Sequence, residues 1–185
     1  TVTGERRFLG LYTGRAYAAN VTDIPVLRAR IAEVLIALGV APKSHSARDI
    51  GQMIETLPRD ELFATNTEQL VEFASTTMHL TEQRKVKTYF RIDDFGRYIS
   101  AFVFLPKDRY STDVRIRIQE LVQEFYQASS VDFSALVGDE SHARLHFIAH
   151  VRDEVQSDAL DVQALNRSIR LAVRTWTDDF TEIAV

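Results

Sequence analysis

Three histidines recur at four-residue intervals, His142, His146 and His150, a spacing that on a helix would align their imidazoles towards one metal ion. The residues around them alternate between apolar and polar types, however, and this alternation predicts a strand. On a strand His146 and His150 share a face but lie about 13 Å apart, which is too far to share one ion. The pattern therefore favours polar-face residues of a strand over a metal site.

Candidates for other site chemistry are few. The acid pairs Asp93-Asp94 and Asp178-Asp179 offer groups for general acid–base catalysis, but adjacent side chains in a turn or at a helix end diverge. No two of the seven glycines lie two or three apart, which excludes the glycine-rich phosphate-binding loops. The chain has no cysteine, which excludes disulfides and thiolate ligands. We therefore predict no catalytic, cofactor-binding or metal-binding residue in this chain.

The composition is that of a globular protein, with 185 residues, 45% hydrophobic and 26% charged. No apolar run approaches the roughly 18 residues of a membrane span. The segment from Arg84 to Arg117 contains nine basic and four acidic residues, although the whole chain has a net charge of −4. A solvated basic face is favoured there, with an acidic partner or a phosphate as the alternative. Because residue 1 is Thr, we expect a piece of a longer chain.

The first half of the chain predicts a lone strand followed by three helices. The run Arg7–Thr13 indicates a strand that ends at Gly14, and we assign residues 1–21 to the remnant of an upstream module. The first helix begins near Pro25, the second is capped by Ser46 and ended by Pro58, and the third begins near Asn66. Residues 22–82 therefore form a helical connector.

The second half, residues 83–185, changes to the element order β-β-α-β-β-α. The fold class is predicted as α+β: a two-layer, ACT-like or ferredoxin-like domain with a four-stranded antiparallel sheet and two helices, in direct or permuted order. The predicted strands are Val86–Ile92, Arg97–Leu105, Val131–Val137 and Leu145–Val151, and the helices begin near Ser111 and Val162, the latter reaching Phe180.

One face of this sheet is predicted to pack against the two helices through Phe90, Val103 and Phe133 among others. The other face would then expose large apolar groups, which usually indicates a docking surface. Its members are Tyr89, Tyr98, Phe102, Phe104, Leu136, His146 and Ile148. The aromatic run Gly96–Phe104 also suits an RNA-binding sheet, but a second aromatic strand is missing and the pI of about 5.7 disfavours nucleic acid.

Four strings, in order, resemble the regulatory region of the large bacterial NAD-specific glutamate dehydrogenases. They are Pro58–Phe63 (PRDELF), Phe90–Ser100 (FRIDDFGRYIS), Pro106–Thr112 (PKDRYST) and Ala143–Phe147 (ARLHF). The run Arg7–Thr13 is also similar to that family. The sequence departs from the family pattern at Lys107, where Arg is expected, and at Ser111, where Asn is commoner. Lys107 keeps the charge of Arg but loses its fork geometry.

The resemblance implies a parent enzyme that oxidises L-glutamate to 2-oxoglutarate and ammonia with NAD in the cytoplasm. The glycine loop and catalytic lysine of that chemistry lie elsewhere, so this segment is predicted to be non-catalytic and to bind no NAD. Expected partners are neighbouring domains and subunits of a homo-oligomer, with an amino acid as a candidate effector, and neither nucleic acid nor membrane. Structural docking is favoured over effector sensing. The alternative is a free-standing amino-acid-binding ACT-like module.

Two groups of motif residues are predicted to hold the structure together. Arg59, Asp60 and Glu61 follow Pro58, and an ion-pair clamp of the connector against the sheet is favoured over a solvated turn. The second group, Asp108, Arg109 and Tyr110, precedes a helix cap and would tie the helix start to the preceding strand end.

Overall fold

A computed structural model describes residues 10–78, 80, 85–137, 141–152 and 161–173 of the chain. The chain divides into two compact units, Thr1–Ala74 and Ser75–Val185. The first unit is helical. Its elements are α1 (Gly14–Ala18), a 3-10 turn (Val21–Asp23), α2 (Pro25–Ala37), α3 (His45–Glu55), α4 (Arg59–Ala64) and α5 (Thr67–Thr77), the last of which extends into the second unit.

Helix α2 forms as its sequence predicts. Pro25 is its first residue, a position where the missing N–H costs nothing. Gly39 follows the helix with φ of +65°, the left-handed conformation that glycine adopts without strain. The apolar stripe is buried and packs inwards: Leu27, Ile31, Val34 and Leu35. Period and end signals agree here, so the helix bounds are predicted to within a few residues.

The cap of α3 differs from the prediction. Ser44, not Ser46, caps the helix, because its extended backbone lets its Oγ accept from the Ala47 N–H at 3.1 Å. Helix α4 was missed altogether. Pro58 was interpreted as a stop signal, whereas it is the N-cap of this six-residue helix and its carbonyl accepts from the Leu62 N–H at 3.0 Å.

Of the predicted first strand, residues 7–9 lie outside the described residues. Residues 10–13 form no strand, and α1 begins at Gly14. The strand prediction is therefore wrong for the described part. A strand needs a neighbour to satisfy its backbone groups, and the sequence itself offers none nearby.

Replacing Ser44 with Ala should destabilise the chain by about 1 kcal/mol, because the Ala47 N–H loses its acceptor. Ser46→Ala is the matched control, since Ser46 is an exposed residue inside the first turn of α3. Urea unfolding of both variants measures the difference. Equal losses in the two variants would refute the assignment of the cap to Ser44.

The second unit contains the predicted α+β fold. Its elements are β1 (Lys87–Ile92), β2 (Tyr98–Pro106), α6 (Thr112–Tyr126), β3 (Ser130–Leu136), β4 (His142–His150) and α7 (Val162–Val173). The sheet order is β1-β2-β4-β3, and every neighbouring pair is antiparallel. Strands β2 and β3 are therefore parallel, joined by α6, with β4 between them as in a split βαβ unit. Placing the β4–α7 unit ahead of β1 gives β-α-β-β-α-β, so the fold is a permuted ferredoxin-like sheet.

The core lies between one sheet face and the helices α6 and α7. Fully buried residues on both layers form it: Ile99, Val103, Leu105, Leu145 and Phe147 of the sheet, and Ile118, Val122 and Ile169 of the helices. Phe133 was predicted to belong here, but it is 48% exposed. It lies on the edge strand β3, where the Arg115 guanidinium covers its ring at 4.3 Å. Trp176 and Phe180 of the predicted last helix lie outside the described residues.

Candidate functional site

The face of the sheet opposite this core brings most of the predicted docking residues together. We call it the second sheet face. In the antiparallel register Arg91 lies beside Ser100, Phe102 lies beside His146, and Phe104 lies beside Arg144. Side chains alternate between faces along each strand, so these residues project from one side of the sheet. Its members are Tyr89, Arg91, Tyr98, Ser100, Phe102, Phe104, Arg144, His146 and Ile148.

The second sheet face is not open, as the sequence predicted, but buried. Tyr89, Phe102 and Phe104 are each at most 3% exposed, while Tyr98 and Ile148 are half-buried. Burying large aromatic side chains stabilises the folded state, and these side chains are already buried in this chain. The expectation of exposure is therefore wrong, and a role of these residues in docking stays a prediction. Of the predicted face, Leu136 alone is largely exposed.

The centre of the second sheet face is a buried histidine–serine pair. The His146 Nε2 and the Ser100 Oγ lie 2.7 Å apart, and both residues are at most 5% exposed. The Phe102 ring stacks on the imidazole, with centroids 4.1 Å apart and planes within 2°. Burial, together with the smaller effect of the nearby charges of Arg144 and Arg91, lowers the pKa of His146 to about 4. The imidazole is therefore neutral at pH 7.

A serine beside a histidine also begins a nucleophilic site, but this pair is poorly suited to that chemistry. A base with a pKa of about 4 accepts a proton too weakly to activate a hydroxyl at neutral pH. Sequence reasoning missed Ser100. The available signal was its alternation with Tyr98 and Phe102, which places it on their face.

The predicted acid pair Asp93-Asp94 is split by the hairpin between β1 and β2. Asp93 is buried and accepts a hydrogen bond from the Arg97 Nε at 2.9 Å, whereas Asp94 is exposed. The Arg97 guanidinium lowers the pKa of Asp93, against the opposing effect of burial. The pair is therefore divided between a buried carboxylate that binds Arg97 and an exposed one. Asp178 and Asp179 lie outside the described residues.

The three histidines of the opening motif all lie on β4, and each has a different partner. The strand position was predicted for His146 and His150, whereas His142 precedes the predicted strand. His150 Nε2 lies 2.9 Å from the Asp132 Oδ2, and His142 Nδ1 lies 2.9 Å from the Ser141 Oγ. Within the described ranges, no group of three histidine or acidic residues is placed to hold a metal ion.

The clamp residues Arg59 and Asp60 join parts of the helical unit. The Arg59 Nη2 donates to the Ala19 carbonyl at 3.0 Å and contacts the Glu55 carboxylate. Tyr17 donates its hydroxyl hydrogen to the Asp60 Oδ1 at 2.7 Å, and this bond raises the pKa of Tyr17. These contacts hold the segment before α2 against the corner between α3 and α4. A clamp against the sheet stays a prediction.

The other two residues of this motif, Pro58 and Glu61, belong to α4 and its cap. Pro58 is the N-cap of α4, and Glu61 within α4 is only 5% exposed. At the far end of α4 the Arg30 guanidinium donates to the carbonyls of Leu62 and Thr65, at 3.0 and 2.6 Å. Sequence reasoning did not identify Arg30, because the carbonyls it binds belong to a helix that was itself missed.

The second motif group lies at the exit of β2. Lys107–Arg109 form a 3-10 turn, after which Ser111 caps α6 by accepting from the Val114 N–H at 3.2 Å. The Lys107 N–H donates to the Ser141 carbonyl at 3.0 Å, and the half-buried Tyr110 packs on the core. The turn thus links the end of β2 to the start of α6. The individual roles of Asp108 and Arg109 stay predictions.

These features define a class of protein: a helical segment followed by an ACT-type α+β domain. Its buried polar side chains, such as His146 and Asp93, are bound to other side chains of the chain. Family comparison agrees. Residues 24–83 match the family model described as glutamate dehydrogenase, helical motif 1. Residues 87–177 match the model described as glutamate dehydrogenase, ACT2 domain. The chain belongs to this glutamate dehydrogenase family. Among the helices of the described residues, none is long and apolar enough to cross a membrane.

Curated relatives carry the same family name. The chain is 34% identical over 184 residues to proteins named NAD-specific glutamate dehydrogenase from Pseudomonas aeruginosa and from Halomonas elongata, and all of it is covered. It is 30% identical to the protein of that name from Mycobacterium tuberculosis, with 94% of this chain covered. The chain spans only 11% of the length of each of these relatives.

The free energy of unfolding should decrease as the pH is lowered, because of His146. Its pKa is about 4 in the folded chain and about 6.5 when unfolded, so the unfolded chain binds the proton first as pH falls. The free energy of unfolding should be undiminished above pH 6.5 and lose about 3 kcal/mol by pH 4. Urea unfolding at several pH values should show this slope flattened in His146→Gln and kept in His45→Gln, an exposed control. The same slope in both variants would contradict the assignment.

Replacing Arg59 with Ala should lower Tm more than replacing Asp60 does. The Arg59 side chain is only 14% exposed. Its removal leaves the Ala19 carbonyl without its hydrogen-bond donor, which should cost about 1–3 kcal/mol of stability. Asp60→Ala removes an exposed hydrogen bond and should cost under about 1 kcal/mol. Arg48→Ala, on the exposed side of α3, is the control. A melt of Arg59→Ala that matches the control would show that the contact is not stabilising.

Proposed function

We propose that this chain is a non-catalytic regulatory and assembly segment of a large NAD-dependent glutamate dehydrogenase. The parent enzyme would deaminate L-glutamate oxidatively to 2-oxoglutarate and ammonia with NAD, in the cytoplasm. The observation that carries the proposal is the pair of adjoining family matches, which assign the chain to a helical motif and an ACT domain. The relatives that cover the whole chain are named NAD-specific glutamate dehydrogenases.

The chemistry of the second sheet face supports a structural role. His146 is held neutral and is stacked, and the Arg91 guanidinium lies 5.6 Å from the Tyr98 ring and donates to its hydroxyl at 3.2 Å. Such groups stabilise one arrangement of the sheet rather than react. The glycine spacings that would hold the pyrophosphate of NAD are missing from this sequence, so NAD would bind elsewhere in the parent.

Docking to neighbouring domains or subunits is the favoured role, and binding of an amino-acid effector is the alternative. In either case regulation requires two arrangements of the parent that the segment stabilises unequally.

The first test uses the 185-residue chain without the rest of the parent. Incubated with L-glutamate and NAD it should produce no NADH, and calorimetry should detect no heat of binding with NAD. Either NADH formation or NAD binding would refute the non-catalytic assignment. Calorimetry against the individual amino acids then separates the two regulatory roles, because saturable binding of one of them would replace docking with sensing.

A further inference from the structure

Helix α2 is apolar on two opposite sides, although only one of these sides is buried. The inner side is the buried stripe described above, which begins at Leu27. The outer side carries a second apolar stripe at steps of four, three and four residues, and we call it the outer stripe. All of its members are exposed: Pro25, Ala29, Ala32 and Ile36. A helix that is apolar all round is usually covered all round, so the outer stripe indicates a second packing partner.

Steps of four, three and four residues are the spacing of a coiled-coil seam. In heptad notation Ala29 and Ile36 take position a, and the other two members of the outer stripe take position d. Ile36 has the largest side chain of the four and is 76% exposed. Two charged residues flank the stripe on opposite sides, Arg28 at position g and Glu33 at position e, and both are exposed. The outer stripe therefore has an apolar centre between a basic margin and an acidic one.

These two margins select one orientation for a second copy of α2. In a parallel pair, position g of one helix lies beside position e of the following heptad on the other, so Arg28 meets Glu33 of the second copy. A two-fold axis makes this ion pair twice. In an antiparallel pair, g lies beside g and e lies beside e, which brings like charges together on both margins. The charges therefore match a parallel pair of identical helices.

We propose that α2 pairs in parallel with α2 of a second copy of this chain, along the outer stripe and about a two-fold axis parallel to the helix. The proposal rests on the assembly role proposed above and names the surface and the partner. Helix α2 has 13 residues and is about 20 Å long, so the pair buries less than the roughly 1,200 Å² at which stable interfaces begin. The chain should therefore dimerise weakly, and further contacts between subunits of the parent would raise the effective concentration.

The apolar centre of the interface is tested by Ile36→Glu, which would bring two carboxylates together at position a. Because Ile36 is already largely in water, this variant should keep the Tm of the unaltered chain while it loses the dimer. Leu171→Glu is the matched control, since Leu171 is 60% exposed on α7, in the second unit. Sedimentation equilibrium at up to about 1 mM detects weak dimers of this kind. Equal dimer fractions in Ile36→Glu and the unaltered chain would overturn the proposal.

The charged margins allow a reversal test. Arg28→Glu sets an acid against Glu33 of the second copy, twice in the dimer, and should raise the dissociation constant about two- to thirtyfold. Glu33→Arg should have a similar effect, and its Tm must be checked because Glu33 accepts a hydrogen bond from Thr67 at 2.6 Å. The double variant should regain the affinity, because it reverses both ion pairs without removing them. Further weakening in the double variant would contradict the parallel pairing.

A cross-linking test takes advantage of the absence of cysteine from the chain. In a parallel pair position a faces position a, so Ile36→Cys places two thiols close enough for a disulfide. An antiparallel pair would place Ile36 beside Pro25 of the second copy instead. Mild oxidation should convert Ile36→Cys largely to a covalent dimer, whereas Leu171→Cys should remain monomeric on denaturing gels.

The outcomes separate this proposal from the function on which it rests. A dimer that is unaffected by Ile36→Glu and by the charge variants would overturn pairing through α2 and leave an assembly role intact. A chain that is monomeric at every concentration, with no more cross-linking than Leu171→Cys, would also overturn it, whereas the non-catalytic assignment is tested by NADH formation. Recovery of affinity in the double variant, together with the Ile36→Cys cross-link, would establish the interface.

Discussion

The pairing of β2 with β4 at the centre of the sheet is the constraint on which the second unit depends. Nine residue pairs align these strands, from Tyr98–His150 to Pro106–His142. Both strands bury side chains on both faces, so a shift of register would move the apolar set of one layer into the other. Helices α6 and α7 pack on one face, and on the other the same register brings His146 to Phe102 and its imidazole within reach of Ser100.

Polar groups in that buried layer are compatible with a stable fold only if their hydrogen bonds are made. A buried imidazole or guanidinium is tolerated when its donors and acceptors are satisfied and costly when they are not. His146 meets the condition by remaining neutral beside Ser100, and Arg91 meets part of it through Tyr98. The layer therefore favours one alignment of the strands over slipped alternatives, which suits the docking role that we propose for the domain.

The sequence predicted what depends on local pattern and missed what depends on context. The helix α2 and the four strands follow from apolar period and from end signals such as Pro25 and Gly39. Helix α4 has only six residues, too few to show a period, and Pro58 is compatible with both an end and a beginning. The burial of Phe102 and Phe104 could not be predicted, because alternation assigns a residue to a face without telling whether that face is covered. The pairing of Arg30 with α4 depends on tertiary structure for the same reason.

The permuted order of the strands has a consequence for synthesis. Strands β1 and β2 form a local hairpin, but β3 is made before the strand that separates it from β2. Until β4 leaves the ribosome, β3 has no neighbour within its own sheet, and α6 has only part of the core surface on which it packs. The last of the strands to be made is thus a central one, and the sheet closes in a single late step. An arrangement with β4 first would have allowed the domain to grow outwards from its centre as it was synthesised.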